Sequence, residues 1–334
     1  MNARTPVATW EPEGWAAPVA GMTWGWPGVR GQWHGEEALN SLREMAALGV
    51  TWVTIAYAIN QPTAQSLTFD REGAVSEEEI RWAVTNAHAL GLKVCLKPTV
   101  NCADGTWRAY ISFLTPDVPG EPTWTQWFEG YGEIINRGAE LAAELDAEMF
   151  CVGCEMVMAE AEAELWRELI VQVRTRYNGL VTYNCDKYQE DRLSWWDAVD
   201  VISSSGYYPE GTWEQHLDRI EPVVRREGKP FVFMEGGCPS RASSPARPND
   251  WALPGEPSEA AQAGYLEEAL TAVASRSWTG GMMLWDWPAR LYSADEAASN
   301  DDYCMYAKAG AGVVERHYRG WTGSEGASLP RITP

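Results

Sequence analysis

Short, almost continuously apolar runs alternate with longer stretches in which apolar residues recur every third or fourth position, nearly from one end of the chain to the other. The runs are Val19–Trp26, Thr51–Ile59, Lys93–Val100, Met149–Glu155, Leu180–Cys185, Val199–Tyr207, Phe231–Glu235 and Gly281–Trp287. Being apolar at nearly every position, they predict strands buried on both faces, as in a parallel sheet. Between them Leu39, Leu42, Met45 and Ala46 mark a helix that Gly49 stops. Ser76 and Glu79 form a capping box ahead of Ile80, Ala83, Val84, Ala87 and Leu90, with Gly91 as the stop. Further helices follow from Ile134, Ile135, Leu141 and Leu145, from Leu165, Leu169 and Val173, from Leu217, Ile220 and Val224, and from Tyr265, Leu266, Ala269 and Val273. After Tyr183 the periodicity fades, and only a short polar helix over Glu190–Asp197 is expected.

Strand and helix in regular alternation predict an α/β fold, a single-domain (β/α)8 TIM barrel. Residues 19–321 would form the barrel, 1–18 an N-terminal extension and 322–334 a C-terminal tail. The competing architecture, an open doubly wound sheet, usually carries a glycine-rich phosphate turn after its first strand. Here that turn is Trp24-Gly25-Trp26-Pro27-Gly28, which is aromatic. Gly310-Ala311-Gly312 lacks a third glycine at the required spacing and follows no strand, so it is no dinucleotide fingerprint. Two long loops, Thr115–Thr123 and the proline-rich Pro239–Pro257, fall on the face where barrel active sites form. Trp251 gives the second of them a binding role.

Composition narrows the partners. The chain has 334 residues and a formal net charge of -21, which makes nucleic acid and anionic membranes poor partners. Residues 1–20 lack the basic stretch and apolar core of a secretory signal, and no apolar run approaches the ~18 residues of a membrane helix. Seven cysteines, an odd number spread over strands and loops, suit a reducing compartment, so a cytoplasmic location is expected. Cys151 and Cys154 form a C-x-x-C, but side chains three apart on a regular strand point opposite ways. With only His34, His88, His216 and His317 besides, none clustered, no metal site is expected. Neither an organic cofactor nor a protein partner is called for.

Glu155 and Glu235 each end an apolar run, Met149–Glu155 and Phe231–Glu235. Desolvation makes a carboxylate costly at the end of a buried strand, so two of them suggest a working pair. On opposed strands of one barrel they would face each other across its mouth. Cleavage of a glycosidic bond with retention of configuration needs such a pair, a nucleophile and a proton donor about 5–5.5 Å apart. Strand alternation would set Cys151, Gly153 and Glu155 on one face, and Phe231, Phe233 and Glu235 on one face of the other strand. Tyr207 or Tyr208, at the end of the sixth run, is placed to hydrogen-bond Glu235.

Nineteen tryptophans exceed what packing requires. Trp24, Trp26, Trp107, Trp124, Trp251, Trp285 and Trp287 fall near strand ends or in loops, and about half of these would touch ligand. Indoles stack on the C–H faces of sugar rings, while Lys97, Asn101, Arg108, Asn184 and Asp186 at the same end could bond the hydroxyls.

Gly21-Met22-Thr23-Trp24-Gly25, Val152-Gly153-Cys154-Glu155-Met156, Phe233-Met234-Glu235-Gly236-Gly237 and Trp285-Asp286-Trp287 together resemble clan A glycoside hydrolases, and most of all family 113, the β-1,4-mannanases. The resemblance spans nearly the whole chain. It implies Glu155 as acid/base, Glu235 as nucleophile and Trp285 as a floor under the sugar at the cleavage point, acting on manno-oligosaccharides or mannan. Two positions depart from the clan. Cys154 stands where most members have an asparagine that bonds the sugar 2-hydroxyl, and the strand-two arginine is missing from Ile55–Ile59, leaving Lys97 or Arg108 to take its place. An exo-acting β-mannosidase, a β-glucan hydrolase of the same clan and a non-catalytic carbohydrate-binding barrel are the rival readings.

Overall fold

A computed structural model describes residues 18–70, 73–115 and 117–323. The extension expected over 1–18 therefore lies outside the described residues except for Pro18, as does the tail from 324 onward.

Eight parallel strands close into a barrel in sequence order: β1 (Val19–Trp24), β2 (Trp52–Gln61), β3 (Lys93–Cys102), β4 (Met149–Cys154), β5 (Leu180–Cys185), β6 (Val201–Ser205), β7 (Phe231–Glu235) and β8 (Thr279–Trp287). Around them, among the described residues, lie seven α-helices: α1 (Gly35–Ala47), α2 (Glu77–Ala89), α3 (Trp124–Glu144), α4 (Ala163–Arg174), α5 (Trp213–Glu227), α6 (Glu259–Ser275) and α7 (Ala309–Thr322). The expected TIM barrel is what the chain forms. The capping box at Ser76 is present, its hydroxyl accepting the Glu79 amide at 3.2 Å, and Thr123 with Gln126 makes a second one on α3.

The core has two layers. Inside the barrel pack Val19, Trp52, Cys95, Met149, Cys151, Leu180, Val201, Val232, Met234 and Met283, every strand contributing. A larger layer lies between strands and helices and holds Trp24, Trp166, Phe231, Phe233 and Trp287 among others. At Gly281, φ 122°, an added Cβ would sit 2.3 Å from the Val19 carbonyl oxygen, so this glycine lets β8 approach β1 and close the ring.

Two departures from the sequence reading concern helices. The segment expected as a polar helix over Glu190–Asp197 holds turns and one 3-10 turn, Trp196–Ala198. Glu190 is fully buried and the indoles of Trp195 and Trp196 donate to the carbonyls of Glu160 and Glu190, so side chains satisfy backbone that a helix would otherwise pair. In contrast α7, which the pattern did not reveal, is structural: the Tyr318 hydroxyl donates to the carbonyls of Gly21 and Met282 across the β1–β8 seam, at 2.7 and 3.1 Å.

Strands β4, β7 and β8 break regular alternation. Between Cys151 and Cys154 strand β4 advances three residues while β5 advances two, from Thr182 to Asn184. One extra residue also enters β7, where Phe233 and Glu235 pair with the successive Ser204 and Ser205. In β8, Leu284 and Trp287 pair with Met22 and Trp24. Each such bulge rephases the side chains beyond it.

Candidate active site

The rephasing decides what points into the barrel mouth. Cys151 faces inward, but Gly153 faces the helices, where a Cβ would meet the Trp166 ring at 2.7 Å. The extra residue then turns Cys154 inward again, and Glu155 follows with a φ of 52°, the left-handed region. In β7, Phe231 and Phe233 face outward, Val232 and Met234 inward, and the bulge adds Glu235 to the inner face. The expected sharing of one face by Cys151, Gly153 and Glu155, and by Phe231, Phe233 and Glu235, is thus overturned. The same bulge puts both thiols of the C-x-x-C on the inner side, contrary to simple alternation, though they take different partners: Gly153 O for Cys151 and Glu235 for Cys154.

Glu155 and Glu235 line one cavity of about 480 Å³, with a carboxylate oxygen of each and the Cys154 sulfur all within 4.8 Å of one another. Both are buried, yet every carboxylate oxygen has a donor. Glu155 accepts from the Ser205 hydroxyl at 2.7 Å, from Arg108 Nη1 at 2.9 Å and from the Trp107 indole at 3.4 Å. Glu235 accepts on Oε1 from Lys97 Nζ at 2.5 Å and from the Cys154 thiol at 3.3 Å, and on Oε2 from the Tyr207 hydroxyl at 3.1 Å. Lys97 also donates to Asn184 Oδ1 at 3.2 Å, and Asn184 Nδ2 donates to Ser205 Oγ at 2.9 Å. A continuous hydrogen-bonded chain, Glu235–Lys97–Asn184–Ser205–Glu155, therefore ties the two carboxylates together beneath the cavity.

Electrostatics separates the groups. Burial pushes the Glu235 carboxyl up, but the Lys97 charge and hydrogen bond, the Arg108 charge and the Cys154 thiol bring it below the ordinary glutamate value. Burial works against the charge of Lys97 too, yet the ionised Glu235 beside it raises its pKa above the ordinary lysine value. Burial followed by the charge of Glu235 pushes the thiol of Cys154 and the hydroxyl of Tyr207 well up, so both stay protonated and donate. Asp186, on the cavity wall, is pushed up to about 7 by burial and then by the charge of Glu155. Cys154, Glu155 and Glu235 have the donor atoms of a metal site, but the ammonium of Lys97 already neutralises the Glu235 carboxylate.

Asn101, Trp107, Arg108, Tyr207 and Trp285 line the cavity, as do Trp26, Trp251 and Asp186. Lys97 lies beneath it, fully buried between Glu235 and Asn184, and touches no open space. Several other residues expected at the site are placed elsewhere, among them Asn184, which is held between Lys97 and Ser205. Trp24 shares the outward face of β1 with Ala20 and Met22 and donates to Ser41 Oγ in α1 at 3.0 Å. Trp287 lies beyond the β8 bulge and donates to the Ser41 carbonyl, also at 3.0 Å. Tyr208 is one residue out of phase with Tyr207, and its hydroxyl goes to Glu190 at 2.6 Å. Of the two tyrosines offered to Glu235, Tyr207 makes the bond. Trp124 packs at the start of α3 against Trp127 and Phe113.

Trp285 lines the cavity beside Trp26, ring centroids 5.4 Å apart, and Trp251 stands edge-on to it at 6.3 Å. The loop after β7 thus reaches the site with Asn249 and Trp251, whereas no described residue of 115–123 lines it. The buried Trp285 Nε1 has no hydrogen-bond partner among the described residues. Sequence reasoning missed Ser205 and gave Cys154 no partner. Ser205 was within reach, since Val201, Ser203, Ser205 and Tyr207 alternate along one strand face.

The sequence model of Glycoside Hydrolase Family 113 matches residues 22–308. Among solved structures, a GH113 β-1,4-mannanase described as a complex is 47% identical, with 91% of this chain and 99% of that chain covered and a TM-score of 0.89. A second GH113 β-1,4-mannanase is 48% identical over 91% and 99%, also at 0.89. The GH113 β-mannanase AaManA from Alicyclobacillus acidocaldarius, in complex with ManMIm, is 41% identical over 93% of this chain and 100% of that chain, again at 0.89. No curated protein matches the chain.

Proposed function

The chain belongs to glycoside hydrolase family 113, and on that premise we propose that it hydrolyses β-1,4-mannosidic bonds with retention of configuration, using Glu235 as nucleophile and Glu155 as acid/base. The observation that carries the mechanism is the pair itself: two buried carboxylates with oxygens within 4.8 Å, one of them pinned by a buried lysine. That spacing suits direct attack by one carboxylate. An inverting pair stands about 6.5–9.5 Å apart to admit a water between.

The steps follow from the spacing of the pair and the ionised state of Glu235. Glu235, kept ionised by Lys97 and oriented by Tyr207, attacks the anomeric carbon while the Glu155 proton passes to the leaving oxygen. The leaving half departs as an alcohol and the sugar stays esterified to Glu235. Glu155, now a base, takes a proton from water. The hydroxide so formed displaces Glu235 from the anomeric carbon, and two inversions give net retention. Ser205, Arg108 and the Trp107 indole hold Glu155 in place through both steps. Trp285 lines the cavity and offers its ring for stacking against the sugar.

Glu155→Ala and Glu235→Ala should each lose nearly all hydrolysis of mannohexaose. With an activated aryl β-mannoside, azide should rescue Glu235→Ala as the α-mannosyl azide and Glu155→Ala as the β-anomer. Wild-type turnover in either variant would sink the assignment, and the opposite anomers would exchange the roles. Soluble manno-oligosaccharides are the proposed substrate, and the cytoplasm the proposed location. Seven buried free thiols support that setting.

A further inference from the structure

We propose that the hollow beside Tyr188 is a second saccharide site, which takes an outer mannosyl unit of the substrate chain beyond the catalytic cleft; this rests on the mannanase reading. The hollow measures about 450 Å³ and is lined by Tyr188, Asp191, Arg192, Gln215, His216 and Arg219. It adjoins the cleft through one short segment: Asp186 and Lys187 line the cleft, and the next residue, Tyr188, lines the hollow.

Three further observations converge on a ligand there. Tyr188 has a φ of 72°, a strained conformation for a bulky residue. The residue is 38% exposed, and its ring rests against Tyr208 at 5.6 Å, His216 at 5.1 Å and the Arg219 guanidinium at 5.7 Å. His216 Nδ1 and Arg219 Nε, on two of the lining residues, are buried with no hydrogen-bond partner among the described residues, polar capacity that a small shift of either side chain would turn toward a ligand.

Charge selects the class of ligand. Arg219 is already neutralised by the buried Glu190 at 2.8 Å, and Arg192 shares the rim with Asp191. A phosphate or carboxylate would find little net positive charge, whereas a neutral polyol finds an aromatic face ringed by donors and acceptors. Direction selects the source. Glu155 protonates the leaving oxygen from the end of β4, and of the two strands paired with β4 it is β5 that leads through Asp186 and Lys187 on the cleft wall to this hollow. The outgoing half of the chain is therefore the half that reaches Tyr188.

The test compares kcat/KM on mannohexaose and mannotriose for wild type, Tyr188→Gly, Arg192→Ala and Tyr188→Phe. Glycine takes the positive φ without strain, so loss of the ring is not confounded with misfolding. Tyr188→Gly should lose about tenfold on mannohexaose, an aromatic contact's worth, and under about twofold on mannotriose. Arg192→Ala should show the same bias more weakly, and Tyr188→Phe should behave as wild type. Equal losses on both substrates, or none on either, would overturn the site while leaving the mannanase reading intact. Weaker retention on immobilised mannan without any chain-length bias would also overturn it, by placing a separate chain in the hollow. A wild-type enzyme inert on both oligosaccharides would remove the parent reading and this proposal together.

Discussion

The Cys154 thiol serves the glutamate across the barrel rather than the one beside it: its sulfur lies 3.3 Å from Oε1 of Glu235, the same oxygen that the Lys97 ammonium holds. Where the resembling clan has an amide at this position, the thiol's weak donor supplements a full positive charge. Glu235 is thus held on Oε1 by Lys97 and Cys154 together and on Oε2 by Tyr207.

Lys97→Met should lower kcat/KM on mannohexaose by about a hundredfold or more, the size of a lost charged donor at a reacting group. The pH profile gives the sharper reading. The folded pKa of Glu235 is depressed, so activity that needs its ionised form is lost as pH falls through that value. Removing Lys97 removes the main influence lowering it, and the acid limb of kcat/KM should move to higher pH. An unmoved limb would mean that Lys97 does not set the ionisation of Glu235.

Ser205→Ala removes the donor to Glu155 Oε1 and the acceptor of Asn184 Nδ2. A hydrogen bond to a charged group contributes about 1.5–3 kcal/mol, so kcat should fall roughly ten- to a hundredfold. Because Ser205 touches the carboxylate and does not line the sugar cavity, KM should change little. A rise in KM with kcat unchanged would place Ser205 in substrate binding instead.

All seven cysteines are free and buried, and burial pushes the thiols of Cys95, Cys151, Cys154 and Cys185 upward. Since the thiolate is the reactive form, a disulfide reagent at pH 8 should label none of them quickly in the native protein. After denaturation it should titrate all seven. Rapid native labelling of one equivalent would show a thiol that opens to solvent.

Glu160 is buried against Tyr183, which donates to it at 2.8 Å, and its carboxyl is pushed up to about 8, chiefly by burial. Below the unfolded pKa, near the ordinary glutamate value, the group is protonated in both states and costs nothing. As pH rises from there toward about 8, only the unfolded chain loses the proton, and stability falls. Glu160→Gln should therefore raise Tm by several degrees at pH 8 and leave it nearly unchanged at pH 4.5. An equal gain at both pH values would place the effect in packing rather than in protonation.

Much of this was legible before any coordinates. Glu155 and Glu235 stood out because a charge at the end of an apolar run is expensive, and the barrel followed from the alternation of runs and helical periods. The faces were harder. Trp24 and Trp287 lie at strand ends near the site, but an aromatic at a strand end says nothing about which side it faces. For Trp24 the answer was present in Ala20, Met22 and Trp24, all on the outward phase. For Trp287, Glu155 and Glu235 it was absent, because a bulge leaves no compositional trace. Lys97 carried a visible charge, but its place under the cavity depends on Glu235 arriving from the opposite strand. The helix α7 escaped notice because Gly310 and Gly312 open it and only Val314, Tyr318 and Trp321 mark its buried face.

The extra residues in β4 and β7 act as a frame shift within each strand, and this bears on any attempt to move the site. Copying Glu155, Glu235 and their neighbours onto equivalent strand ends of another barrel, with the count of residues kept regular, would turn the strand ends out of register with the mouth. The smallest transferable unit is the strand together with its surplus residue. Deleting Val152 or Gly153 should accordingly disarm the enzyme as thoroughly as replacing Glu155, with both glutamates still in the chain.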